Sequence, residues 1–256
     1  MRLPSSSLIS CSLVAVLVLA LGAGCYRSPG PPPSGTAPAA DPTPAGPPPR
    51  VTWADNGFNT TRLPAVSADG SQVLIPTQDS DGGRGNPNFR VVIKDRADVE
   101  VGTKVVLTVD EAGSVFDGGE QHPELDKRLA AVNAWLGEQN TARRLVPLAP
   151  LEVERAEEMA SDFRATGRGV TLEWKQNRVT IVQGGKPLVD RATPATWLVA
   201  DKPMYPGAGP DEVCHNPAFL AGASIDVSRK IAVLVITYYG TDSCWEPPAT
   251  HHVVAW

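Results

Sequence analysis

The sequence has no run of basic residues and no excess of positive charge: 23 lysines and arginines stand against 28 aspartates and glutamates in 256 residues, net −5. That excludes the electrostatic footprint of a nucleic-acid binder. No Cys-x-x-Cys spacing, His-Glu zinc motif, Gly-x-Ser-x-Gly elbow or phosphate-cradling glycine loop occurs. Nothing therefore assigns a metal, a cofactor or a catalytic triad from spacing. Catalytic groups can converge from distant segments, so an enzyme is not excluded, but no residue-level case for one exists. Apolar runs are short too. The longest, Leu8 to Leu21, falls below the roughly 20 residues that span a bilayer.

What is present begins at the N-terminus. Arg2, the polar Ser5 to Ser7, the apolar run and the small residues Gly22, Ala23 and Gly24 lead to Cys25. This is the layout of a secretory signal peptide over residues 1–24. The exit resembles the lipobox of bacterial lipoproteins: two small residues precede the cysteine, and the aliphatic Leu21 stands one place ahead of its usual slot, which Gly22 fills. The resemblance implies a lipid on Cys25 and a membrane as partner. With Tyr26 rather than aspartate next, it implies the outer membrane of a two-membrane envelope. The rival is an ordinary cut after Gly22 or Ala23 and a soluble product. Cysteine arithmetic favours the lipid. If Cys214 and Cys244 pair, an unmodified Cys25 would be an odd thiol in an oxidising compartment.

Residues 25–50 form a proline-rich linker, with ten prolines between Arg27 and Arg50 and no large apolar residue. Such a segment cannot bury enough surface to offset its ordering entropy. It reads as a spacer, extended at up to about 3.1 Å per residue. Loss of residues 1–24 removes only Arg2, leaving 22 basic against 28 acidic residues, net −6.

Residues 51–256 read as one mainly β domain of the α+β kind. Strand-like runs include Leu63 to Ile75 around the turn Asp69-Gly70, Phe89 to Lys94, Lys104 to Val109, Trp197 to Ala200 and Ala223 to Thr237. Gly169 to Trp174 and Arg178 to Val182 form a hairpin with alternating faces. A helical insert is expected at about 122–164. Leu125, Leu129, Val132 and Leu136 recur at the helical period after Pro123, and residues 152–163 suggest a second helix. Ser67-Ala-Asp69-Gly70 followed by two strands resembles a blade of TolB-type, WD40-like β-propellers over about residues 62–110. Ser224-Ile-Asp226 is a faint echo, with Val227 where the repeat has glycine. The fold is expected to be an antiparallel β domain, either a small irregular propeller or a sandwich. The resemblance implies a scaffold that binds partners.

The richest polar cluster is Tyr239, Asp242, Trp245, Glu246 and His251, with Tyr238 and His252 beside it. Neighbouring histidines on a strand face opposite ways, which argues against both holding one ion. The plain alternative is a solvated loop anchored by aromatics and a Cys214–Cys244 disulfide. Asp79 to Asn86 lacks the ligands of an EF-hand, since Gly83 and Arg90 occupy the fifth and twelfth positions. Trp53, Trp135, Trp174, Trp197, Trp245 and Trp256 serve either a core or a ligand platform. The expected function is an envelope lipoprotein with a non-catalytic domain that binds a protein or glycan. The alternatives are a tethered hydrolase with its site near the Cys214–Cys244 loop, and a structural envelope component.

Overall fold

A computed structural model describes residues 46–79, 86–116, 122–154, 162–175, 178–198, 202–203, 207, 209, 212–214, 217–238 and 247–256. All belong to the unit Thr43–Trp256. Among the described residues it is mainly β with two α-helices, and every strand pairing is antiparallel.

The chain opens with a hairpin, β1 (Arg50–Ala54) and β2 (Gly57–Thr61). Asp55 and Asn56 take φ of 52° and 56°, the mirror-image turn that suits the twist of a tight hairpin. Four strands follow: β3 (Ala65–Val66), β4 (Gln72–Thr77), β5 (Phe89–Asp95) and β6 (Glu100–Leu107). They pair as a meander, and β7 (Val146–Pro147) adds to β3, giving the order β6-β5-β4-β3-β7. Between β6 and β7 lie α1 (Val109–Phe116) and α2 (Pro123–Arg143). Pro123 starts α2 where no amide donor is needed, and Arg144 ends it at φ 53°. Leu125, Val132 and Leu136 are buried. Val132 and Leu136 pack with Leu74, Val91 and Ile93 on one face of the sheet.

The chain then crosses to a second sheet within one residue, Leu148. It comprises β8 (Ala149–Val153), β9 (Asp162–Gly167), β10 (Val170–Lys175), β11 (Arg178–Gln183) and β12 (Lys186–Ala192). A short 3-10 turn (Ala195–Trp197) and the two-stranded β13 (Lys202–Pro203) with β14 (Val213–Cys214) intervene. The sheet is completed by β15 (Ala218–Asp226), β16 (Ile231–Tyr238) and β17 (Thr250–Ala255), in the order β12-β11-β10-β9-β8-β15-β16-β17. It curls, because Leu172 and Trp174 of β10, Ile181 of β11 and Leu234 and Ile236 of β16 share one buried cluster.

Two expectations are corrected. The described ends of 152–163 are strand where a helix was expected: Ala149–Val153 and Asp162–Gly167 are strands, and 155–161 lie outside the described residues. The alternation in Leu151, Val153, Phe163 and Ala165 carries that stretch, with Leu151, Phe163 and Ala165 buried. The second helix is α1 instead. The strand expected over Trp197 to Ala200 is absent at its start, where Trp197 ends the 3-10 turn and 199–200 lie outside the described residues. Pro194 favours that turn over a ladder position.

The two sheets meet face to face. Val66, Val73 and Ile75 pack on Ile231, Val233 and Val253. One end of this interface is closed by three turns. Asp69 accepts from the Ser71 amide at 3.0 Å, and Asp226 from the Arg229 amide at 2.9 Å. These are the two Asp-centred turns the sequence suggested, although the positive φ in the second falls on Lys230. They are tied together: Arg229 Nε donates to the Ala68 carbonyl at 3.3 Å, and Arg96 Nη1 to the Gly70 and Arg229 carbonyls at 3.2 and 3.1 Å.

Candidate functional site

The other end of the interface opens. β3 begins only at Ala65, directly after Pro64, so β4 loses its partner on that side beyond Leu74. Pro76 follows there, a residue without the amide that an unpaired edge would leave unsatisfied. On the facing sheet, the Gly222 and Ser224 positions of β15 offer little side-chain bulk. The result is a cleft of about 350 Å³ walled by Ile75, Pro76, Leu151, Ser224 and Val235. Two further clefts adjoin it. One, of about 250 Å³, is lined by Thr77, Asp79, Arg90, Lys94 and Glu100. The other, of about 300 Å³, has a wall of Phe58 and Phe89, whose rings stack at 5.0 Å. His251 lines all three.

His251 is half-buried. Burial, then the positive charges of Lys94, His252 and Arg90, pull its pKa down from 6.5 to about 4. Its ring is a neutral donor and acceptor at neutral pH. Arg90 is held by Asp79 at 2.9 Å and by Thr77 at 3.2 Å. Asn88 closes the base of the Asp79 loop, accepting from the Asp79 amide at 2.6 Å and donating to its carbonyl at 2.8 Å.

On the opposite face of β17, His252 is buried and stacked on Trp197, ring centres 4.2 Å apart. Its Nδ1 lies 2.8 Å from Asp98 Oδ2, and its Nε2 lies 3.0 Å from Thr250 Oγ1. Carboxylate, imidazole and hydroxyl thus stand in the order of a nucleophilic relay. The directions of the bonds close it. Tyr238 donates its one proton to the Trp197 carbonyl at 2.9 Å, and burial raises the phenol's pKa, which keeps that proton in place. Thr250, 3.0 Å from Tyr238 Oη, must then donate to it. His252 Nε2 is left as the donor to Thr250. A hydroxyl that has given away its proton and accepts from the imidazole has no base to activate it.

Asp98 sits in the turn between β5 and β6. Burial, the largest effect, would raise its pKa. Hydrogen bonds from His252, Lys94 and the Val253 amide together outweigh burial and hold the carboxyl below its ordinary range. Lys94 Nζ donates to Asp98 at 2.9 Å and to the His251 carbonyl at 2.6 Å, and the Val253 amide donates to Asp98 at 2.8 Å. Side chains from one sheet thereby satisfy backbone groups along β17, the last strand of the other, where an unpaired edge would invite another chain.

Of the residues singled out from the sequence, His251 is at the mouth and Tyr238 is in the buried network. Tyr239, Asp242, Trp245 and Glu246 lie outside the described residues, as do Cys25 and Cys244. Cys214 is buried at the end of β14. Trp174 and Trp197 are core residues, whereas Trp53 lies in a partly buried aromatic group with Phe58 and Phe116. Sequence reasoning missed Asp98, Lys94 and Thr250. Asp98 lies 154 positions from His252, and no local pattern reports a contact that remote. Among the described residues, no three His, Cys, Asp or Glu are grouped to hold a metal, and no helix is long and apolar enough to cross a membrane. Comparison with protein-family models, curated proteins and solved structures finds no match.

Proposed function

We propose that this chain is an envelope lipoprotein, anchored through a lipid on Cys25 and spaced by residues 25–50. Its β-rich domain is a non-catalytic binding module whose site is the mouth around His251. The carrying observation is a contrast within β17. His252 is buried in a relay closed by hydrogen-bond direction, whereas His251, one residue earlier, is neutral and lines three neighbouring clefts. Phe58 and Phe89 beside Thr77 and Gln78 offer the mixed apolar and polar surface that a protein or glycan partner uses. We also propose that Cys214 and Cys244 pair, which mass mapping without reduction would test.

A tethered hydrolase is the second reading, favoured by the carboxylates of Asp79 and Glu100 in the same cleft as His251. A histidine pulled to about 4 is a weak base at neutral pH, which counts against it.

Two measurements test the proposal. Wild type should sediment with membranes and Cys25→Ser should not; a wholly soluble wild type refutes the anchor. A photoreactive residue in place of the exposed Gln78 should cross-link to an envelope partner in intact cells, and the cross-link should fade when Phe58→Ala opens the aromatic wall. No adduct from Gln78 refutes the binding site.

A further inference from the structure

We propose that the cleft lined by Phe58 and His251 binds one neutral pyranose sugar of a glycan, the ring packed on Phe58 and its hydroxyls met by Thr60, Thr77, Gln78 and His251. The proposal rests on the binding-module reading and names the ligand class for the same site.

Local structure sets the arrangement. Phe58 and Thr60 lie two apart on β2, so they share a face at a spacing of about 7 Å. Phe58 is half-buried and rests on the buried Phe89, ring centres 5.0 Å and planes 28° apart. Trp53 makes an edge-to-face contact with it, also at 5.0 Å. The ring is thus held before any ligand arrives, which spares the cost of ordering it on binding. Thr77 and Gln78 come from the end of β4, and His251 from β17.

The chemistry of the wall selects the ligand by exclusion. None of the described residues lining this cleft carries a formal charge at neutral pH: His251 is neutral, since burial above all pulls its pKa down to about 4. A charged ligand would find no counter-charge there. A wholly apolar one would leave polar side chains without partners. An extended peptide adds to a strand edge through backbone hydrogen bonds. Pro76 has no amide to offer it, and Lys94 already donates to the His251 carbonyl at 2.6 Å.

A sugar ring meets every group. Its C–H face is apolar and suits an aromatic wall. Each hydroxyl both donates and accepts, as the side chains of Thr60, Gln78 and His251 do. Thr77 accepts from Arg90 Nε at 3.2 Å and keeps its own proton to give. At about 300 Å³ the cleft lies at the lower end of the roughly 300–1,000 Å³ of small-molecule sites, room for one ring. No carboxylate is among the described lining residues, so the cleft itself lacks the acid pair that would cleave a glycosidic bond.

The probes are the methyl glycosides of glucose, mannose, galactose and N-acetylglucosamine, each offered to the full chain carrying Cys25→Ser. Saturation-transfer NMR should show at least one of them bound, with Kd on the order of 1 mM, as about a dozen heavy atoms allow. Saturation should be strongest at the ring C–H protons. Phe58→Ala should weaken that glycoside about tenfold. Should that variant misfold, Gln78→Ala at the exposed rim makes a second test and should cost about fivefold. Cyclohexanol, a ring without the set of hydroxyls, should bind about tenfold more weakly. The methyl glycoside of glucuronate should bind no more tightly than that of glucose. The inference is overturned if none of the four glycosides binds, if both variants bind as wild type, if cyclohexanol binds as tightly, or if the glucuronate binds more tightly. A Gln78 cross-link to an envelope protein without glycoside binding would sink the sugar and leave the binding-module reading standing.

Discussion

Asp98 and His252 come from different sheets, and the 2.8 Å contact between them is part of what joins those sheets. The Asp98 carboxylate also takes the Val253 amide and the Lys94 ammonium, so one short turn makes three charge-assisted contacts. Removing it leaves the Val253 N–H and His252 Nδ1 unpaired in buried surroundings. Asp98→Ala should therefore destabilise the domain by about 2–4 kcal/mol. Urea denaturation followed by far-UV dichroism checks this. An unchanged midpoint would mean the sheets are joined by apolar contacts alone.

The closed end of the interface depends on Gly70. Its φ is +72°, and a Cβ there would sit 3.4 Å from the Arg229 carbonyl oxygen and from Arg96 Nη1. Left-handed backbone and tight packing act together, so Gly70→Ala should cost about 1–2 kcal/mol. Arg96→Ala should cost about 1 kcal/mol, since it loses bonds to neutral carbonyls from an exposed side chain. Thermal melting of both variants checks the order. Arg96→Ala proving the more damaging would show that the guanidinium bridge, not the turn, carries this end.

Some of this was legible in the sequence and some was not, and the division follows sequence separation. The Asp69 turn, the β10–β11 hairpin and the apolar face of α2 are built from neighbours within a few residues, so periodicity and turn chemistry report them. The stretch 152–163 misled because apolar spacing there fits both periods and only the pairing of Glu152 with Thr166 decides for a strand. The mouth was partly visible as His251. Its other walls, at Phe58, Thr77, Arg90 and Val235, come from four strands of two sheets and one hairpin, and nothing local connects them. The direction of the Tyr238, Thr250 and His252 bonds belongs to the folded state alone.

Asn133 does for β1 what a neighbouring strand would do. Its side-chain oxygen accepts from the Val51 amide at 2.8 Å, and its nitrogen donates to the Val51 carbonyl at 2.9 Å. Val51 itself is fully buried. Asn133→Ala should strip both partners from that backbone and cost about 2 kcal/mol. The loss should be local. Amide exchange over residues 50–61 should speed up while β10 and β16 stay protected. Uniform loss of protection across all three would show that the hairpin is part of the global folding unit.

Acid should weaken the domain in two separate steps. The folded pKa of His251 is about 4 against an ordinary 6.5, so between these values the unfolded chain binds more protons than the folded one. Stability must then rise with pH across that window and fall as the pH is lowered from about 6.5 to about 4. Asp98 acts lower down. Its pKa is depressed from 3.8, so its contribution is complete above that value and is lost as the pH drops through the folded one. Urea midpoints should decline from pH 7.5 through 5.5 to 4.5, and His251→Gln should flatten that decline without altering the further fall below pH 3.8. If the variant keeps the wild-type slope between pH 6.5 and 4.5, the imidazole at the mouth is not held neutral by its burial.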